Sequence, residues 1–390
     1  MVRTVRSIAA ALLMLAAVSA VMTACSTDEA RLERSARLSP AAKPEGGTGA
    51  AYTMTNAATM NEIVAFSRRA DGTLEELGRY ATQGQGTGGT LDPLASQYSI
   101  VIDEARQFLF AVSAGSDHVS SFRIEEDGSL TLVDRAPTRG DMPVSVARHG
   151  HLVFVLNAGD NTISGFRVTG RGTLNYINRS TIDLAPGAAG ASAIQFSPDG
   201  DFLVVTERMA NRIEMIPVGN GGHPAEPRVF TSSGAGPFGF DFAPDGTLIV
   251  SEAMGAAPNG AVSSYDMHGS GELDELTGSL NAQGMASCWV VVSGSGDVAF
   301  VVNSGSQSVA SVGLDDAGNL SLIDADAAVT GPGSAPLDLD ITADDRFLYV
   351  LEGGSGTISA YSVAEGGVLT FLGDVIAGAP SSGLQGLAVN

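Results

Sequence analysis

Three glutamates stand where a carboxylate could do chemistry: Glu207, Glu252 and Glu352. Each ends a short apolar run, Phe202-Leu203-Val204-Val205 before Glu207, Leu248-Ile249-Val250 before Glu252 and Leu348-Tyr349-Val350-Leu351 before Glu352. A carboxylate at the end of such a run loses hydration, its pKa rises, and it becomes a base able to take a proton from water near neutral pH. Arg208 adjoins Glu207 and could polarise a carbonyl or hold an anion. These residues also have a quieter use, in which Glu207 accepts backbone N–H bonds from its loop or pairs with Arg208. Asn157 and Asn303 occupy comparable places and could donate to a carbonyl oxygen or shape their turns.

Three further residues are candidates for ligand contact: Phe238, Cys288 and Gln385. Phe238 lies in Gly236-Pro237-Phe238-Gly239-Phe240 and could stack on a ligand or pack internally. Cys288 precedes Trp289, the only tryptophan. No histidine lies near it in sequence, so it reads as a buried inert thiol rather than a nucleophile. The five histidines have no metal-ligand spacing, and no Gly-x-Ser-x-Gly string is present. No cofactor is expected, and a rim of Glu and Asn would suit only a hard cation such as calcium.

The elements that must position these residues form a repeat. One pattern recurs: a short apolar strand, a turn, a stronger apolar strand, a polar residue, a Gly/Ser/Asn loop and an alternating strand. A Gly-x-Leu turn then leads into a fourth strand. The polar positions are Asn56, Ser113, Asn157, Glu207, Glu252, Asn303 and Glu352, about 49 residues apart, which is the spacing of four-stranded propeller blades. The turn recurs at Gly72, Gly128, Gly172, Gly271, Gly318 and Gly367, whereas the fourth block has an irregular connection from Pro217 to Pro227. The first block begins at its second strand, Ala51 to Met54, and the chain stops after a lone first strand, Leu384 to Asn390. The pattern predicts an all-β, seven-bladed β-propeller over residues 49–390, closed by pairing of the C-terminal strand with the N-terminal blade. Such closure removes an exposed sheet edge. In this geometry the polar positions share a rim with the innermost-strand starts Gln97, Pro143, Ser192, Pro237, Cys288, Pro336 and Gln385, around the channel mouth where a ligand is expected.

The first 48 residues read differently. Arg3 and Arg6 precede the apolar run Ile8 to Met22, too short and weakly flanked for a spanning helix. Met22-Thr23-Ala24-Cys25 resembles a bacterial lipobox. That resemblance implies a signal peptide over 1–24 and a lipid on Cys25, with residues 25–48 as a tether. The competing use of Cys25 is a disulfide with Cys288. The expected location is the cell envelope: on the outer side of the cytoplasmic membrane, in the periplasm or at the cell surface. Membrane contact would be through the lipid alone. A formal net charge of −22 with no basic stripe excludes nucleic acid as a partner. A small-molecule ligand or an envelope protein remains, and a monomer is expected.

The blocks resemble the lactonase-like seven-bladed propeller family, which includes 6-phosphogluconolactonases and carboxymuconate cyclases. The resemblance covers residues 51–390. It rests on Phe196-Ser197-Pro198-Asp199-Gly200, Val204-Val205-Thr206-Glu207, the Asn303 strand and the Asp-Gly-x-Leu turns at Asp71 and Asp127. It implies a site of His, Arg and Glu at the mouth, with Glu207 similar in position and Arg208 following it. The family's Pro-His pair is replaced here by Pro143-Val144, Pro237-Phe238 and Pro336-Leu337. The Glu252 and Cys288-Trp289 strings look like those of an exported bacterial branch. Two functions stand side by side. One is a hydrolase of a lactone or cyclic ester, with Glu207 or Glu252 as base and Arg208 and Asn303 on the oxyanion. The other is a non-catalytic binding module of the envelope.

Overall fold

The computed structural model describes residues 49–390, apart from residues 104, 220 and 257. Cys25 and the rest of the N-terminal segment lie outside the described residues. Seven antiparallel sheets follow one another along the chain, six built from consecutive strands and the first completed by the C-terminal strand. In the third, the outermost strand is split into Leu174–Tyr176 and Ile182–Asp183, both paired to Thr162–Val168. The all-β seven-bladed propeller expected from the repeat is the observed architecture.

Burial explains why the second strand of each block reads as an unbroken apolar run. Phe108–Ser113, Phe202–Glu207, Val298–Asn303 and Phe347–Glu352 are buried at every residue, because a neighbouring blade covers each face. The outermost strands, such as Leu74–Ala81, are half-exposed and carry the polar alternation instead.

The Gly-x-Leu turn is the joint between blades. Gly72 has φ +88, a conformation that favours glycine, and a Cβ there would lie 2.3 Å from the ring of Phe347 in the preceding blade. The Tyr349 hydroxyl of that blade donates to the Gly72 carbonyl at 2.7 Å. The same joint recurs where Ser121 donates to Gly172 and Ser264 to Gly318. In the irregular fourth blade Gly222, with φ +73, takes this place against Leu152 and Ile177. The glycine contact is kept there while the turn around it is rebuilt.

The ring closes as expected, over slightly different bounds. Gln385–Val389 pairs antiparallel with Gly49–Met54, with Ala51 opposite Val389 and Met54 opposite Gln385. Gly386, φ +72, is the extra residue of a bulge. Asn390 Oδ1 accepts from the Ala50 amide at 2.7 Å, and Arg68 donates to the Asn390 carbonyl at 3.1 Å. Leu384, Leu387 and Ala388 are buried in the seam.

Deleting residues 384–390 removes this strand and exposes the edge of the first blade. The expected result is a fall in melting temperature of at least about 10 °C, given the usual cost of losing buried leucines. A circular-dichroism melt of the truncated and full chains measures it, and coincident curves would refute the closure.

Candidate functional site

The repeating polar residues do not form an open rim. Asn56, Ser113, Asn157, Glu207, Glu252, Asn303 and Glu352 are all buried. Glu207 is paired with Arg212 and not with Arg208: Arg212 Nε donates to Oε1 at 2.8 Å, and the Ala189 amide donates to Oε2 at 2.8 Å. Arg212 also holds Glu214 at 2.9 Å. Burial and the neighbouring Glu207 push the Glu214 carboxyl up. Glu252 accepts from the Gly234 amide at 2.8 Å and from the hydroxyls of Ser232, Ser263 and Ser279 at 3.2, 2.6 and 2.9 Å. Glu352 accepts from Ser355, Thr357 and Ser359, and burial raises its pKa. These carboxylates tie the mouth-side connections to the strands beneath, which is the quieter of the two uses that the sequence offered for Glu207. Asn157 donates to Thr162 and Ser164, and Asn303 accepts from Ser287. Both shape their turns.

Gln97 was expected to start an innermost strand, but the strand of its blade is only Ile100–Ile102. The preceding residues cross the channel instead. Ser96 donates to the Val144 carbonyl at 2.8 Å and accepts from the Trp289 indole at 3.0 Å. The Gln97 side chain donates to the Val290 carbonyl at 2.8 Å, the Gln97 backbone N–H donates to the Ser192 carbonyl, and the Tyr98 hydroxyl donates to the Phe240 carbonyl. The crossing thus touches the third, fourth, fifth and sixth blades. Gly239 makes room for it, since a Cβ there would lie 1.9 Å from Gln97 Oε1.

Beyond the crossing lies a cavity of about 220 Å³, bordered by Tyr98, Gln195, Asp241, Asp338 and Asp340. The carboxylates accept backbone amides from the next innermost strand: Asp241 from Val292 at 2.8 Å, Asp338 from Leu387 at 3.0 Å and Asp340 from Val389 at 2.7 Å. Desolvation dominates all the same. It lifts Asp241 to about 6, Asp340 to about 7 and Asp338 well above its ordinary value. A larger cavity of about 520 Å³ sits on the face opposite the mouth, at the closing seam. Arg68, Arg69 and Arg106 share it with Glu125, Glu126, Asp127 and Asp344, so it has no dominant sign.

On the mouth side, four of the candidates do converge. Arg208 lies over the Phe238 ring, 5.5 Å from guanidinium carbon to centroid. Phe238 is fully buried and meets Trp289 edge-on at 4.9 Å, so it supports Arg208 instead of stacking on a ligand. Among the described residues the Arg208 guanidinium makes no ion pair. Its charge acts on Cys288 and on a residue that the repeat did not single out, Asp92. Gln385 donates to Asp92 Oδ1 at 3.2 Å. Burial raises Asp92 to about 7, against the opposing pull of Gln385 and Arg208. The Cys288 thiol is buried and pushed up to about 12, so it stays protonated and inert. Asp92 belongs to the long Gly/Thr connection before the second blade. Its length and the Asp92-Pro93 dipeptide were the available signals.

A family profile described as "Lactonase, 7-bladed beta-propeller" matches residues 47–186, 171–254 and 262–380. The chain belongs to the seven-bladed β-propeller lactonase family. No curated protein matches it. Among solved structures, this lactonase-family chain resembles a candidate 6-phosphogluconolactonase of Bacteroides fragilis, at 18% identity and a TM-score of 0.70. That match covers 89% of this chain and 99% of that one. A second candidate, from Bacteroides uniformis, gives 22% and 0.69 over 87% and 99%. The periplasmic gluconolactonase of Pseudomonas aeruginosa gives 19% and 0.67 over 87% and 99%. At these identities the structural likeness speaks to fold alone.

The axial carboxyls set a pH dependence. Asp241, Asp338 and Asp340 bind protons more tightly folded than unfolded. The stability this gives is complete below about pH 4 and is lost as pH rises through the folded values of about 6 and 7. Urea midpoints should therefore be higher at pH 5.5 than at pH 8, and Asp340→Asn should reduce the difference. Equal midpoints in the parent protein would contradict the shifts.

Proposed function

We propose that the chain is a lactone-hydrolysing enzyme with its active site at the channel mouth, and that Asp92 is the base. The observation that carries this reading is the Asp92 side chain, held by Gln385 at the mouth side of a lactonase-family propeller, where burial raises its carboxyl to about 7 and the charge of Arg208 acts on it. A base poised at that value is half ionised at neutral pH, where general base catalysis is most effective.

In this reading the lactone carbonyl lies against Arg208. Asp92 takes a proton from water as its oxygen attacks the carbonyl carbon. Arg208 carries the negative charge that develops on the carbonyl oxygen. The ring C–O bond then breaks, and the departing oxygen takes the proton back from Asp92. The product is a hydroxy acid whose carboxylate repels Asp92, which favours release. Gln385 holds the Asp92 side chain in place. Arg208 is itself kept in place by the Phe238 face, which prefers the flat guanidinium to an ammonium. The apolar N-terminal run and the Met22-Thr23-Ala24-Cys25 string support placing this enzyme in the cell envelope, held by a lipid.

Purified protein offered a panel of γ- and δ-lactones should show turnover whose kcat/KM rises with pH through about 7. Asp92→Asn should lower kcat/KM by about 100-fold or more, and Arg208→Gln by a comparable factor. Glu252→Gln serves as the contrast. It should cost about 1–3 kcal/mol of stability by disturbing a saturated buried carboxylate, with little loss of activity per folded molecule. Turnover unchanged in Asp92→Asn would overturn the assignment of the base.

A further inference from the structure

The distribution of exposed apolar side chains is uneven. Met60, Leu91, Met209, Met254 and Met285 are exposed, and all five lie in mouth-side connections or at a mouth-side strand end. The other exposed large apolar residues belong to outermost strands, and among the described residues the turns of the opposite face have none. Three of the methionines form an arc across consecutive blades. Met209, 70% exposed, follows Arg208 in the fourth blade and lies against Gly190. Met254, 56% exposed, is in the fifth. Its methyl group and the Arg208 stem both lie within 3.6 Å of a Cβ built at Gly236, the residue before the innermost strand Pro237–Phe242. Met285, 50% exposed, precedes the innermost strand Ser287–Val292 that carries Cys288. Leu91 adjoins Asp92 and lies near Gly353 in the seventh blade, on the far side of the opening.

We propose that the mouth takes a lactone bearing a flexible hydrocarbon substituent, with the ring between Asp92 and Arg208 and the tail lying across Met209, Met254 and Met285. The word lactone rests on the hydrolase reading above, whereas the tail contact rests on the methionine arc alone. Unbranched thioether side chains adapt to apolar chains of varied shape, which is their usual role on binding surfaces. A polyhydroxylated phosphate ester would need several donors and a cluster of cations. The arc offers thioethers, and among the described residues Arg208 is the cation whose charge acts on Asp92 and Cys288. Exposed methionines gathered on one face of a chain of charge −22 suit an apolar contact.

The test uses γ-lactams carrying methyl, butyl and octyl chains, which keep the ring and carbonyl but resist hydrolysis. Binding is read by calorimetry and by emission of Trp289, whose indole packs on the Phe238 ring beneath Arg208. Affinity should rise by at least about tenfold from butyl to octyl, a partial share of what full burial of four methylenes gives. Met209→Gln with Met254→Gln should flatten that dependence while the melting temperature holds, since both side chains are exposed. The matching lactones are then assayed for turnover. Tail-dependent lactam binding without turnover of any lactone would sustain the apolar tail contact and reject the hydrolase reading. Turnover indifferent to chain length, or a polyhydroxylated lactam bound more tightly than the octyl one, would overturn the proposal and leave the hydrolase reading intact. No lactam binding at all would also overturn it.

Discussion

Every sheet in this ring ends on an innermost strand whose free edge faces the axis, and those backbone groups must find partners where water is scarce. Much of the interior follows from that requirement. Asp241, Asp338 and Asp340 reach from one blade to the amides of the next. Ser251 donates to the Cys288 carbonyl and Thr206 to the Phe238 carbonyl, again from one blade to the next. On the mouth side, the segment around Ser96, Gln97 and Tyr98 lies across the axis and satisfies edges from four blades. Side-chain oxygens that accept these amides must be desolvated to do so, which is why the axial carboxyls hold their protons so strongly.

The crossing segment also determines where a site can be. It lies across the axis, and the connection that leads into it carries Asp92. The ring alone would present Arg208, Cys288 and Gln385 around a hole. With the crossing in place, Gln385 donates to a carboxyl whose pKa burial raises.

The blade count, the closing strand and the irregular fourth blade were legible because they repeat, or because they break a repeat at a countable place. Repetition misled at the site. Glu207, Glu252 and Glu352 occupy equivalent positions because each blade needs a polar group to fasten its mouth-side connection. A residue type that recurs for that reason is consumed by it. The other side chains near the mouth lie outside the pattern: Arg208 just past its fastener, Cys288 at a bulge between Ser287 and Trp289, and Asp92 in the long connection before the second blade. Asp92 was hidden for a physical reason: its pKa depends on Gln385, Arg208 and the burial supplied by blades far from it in sequence.

That dispersal has a consequence for how the protein comes into being. Asp92 lies near the start of the ring, Arg208 at its middle, Cys288 further on, and Gln385 within the strand that closes it. This grouping is therefore not a local motif that an early fragment could display. It is assembled only when residues 385–389 return to the first blade, so its presence doubles as a sign of a closed ring.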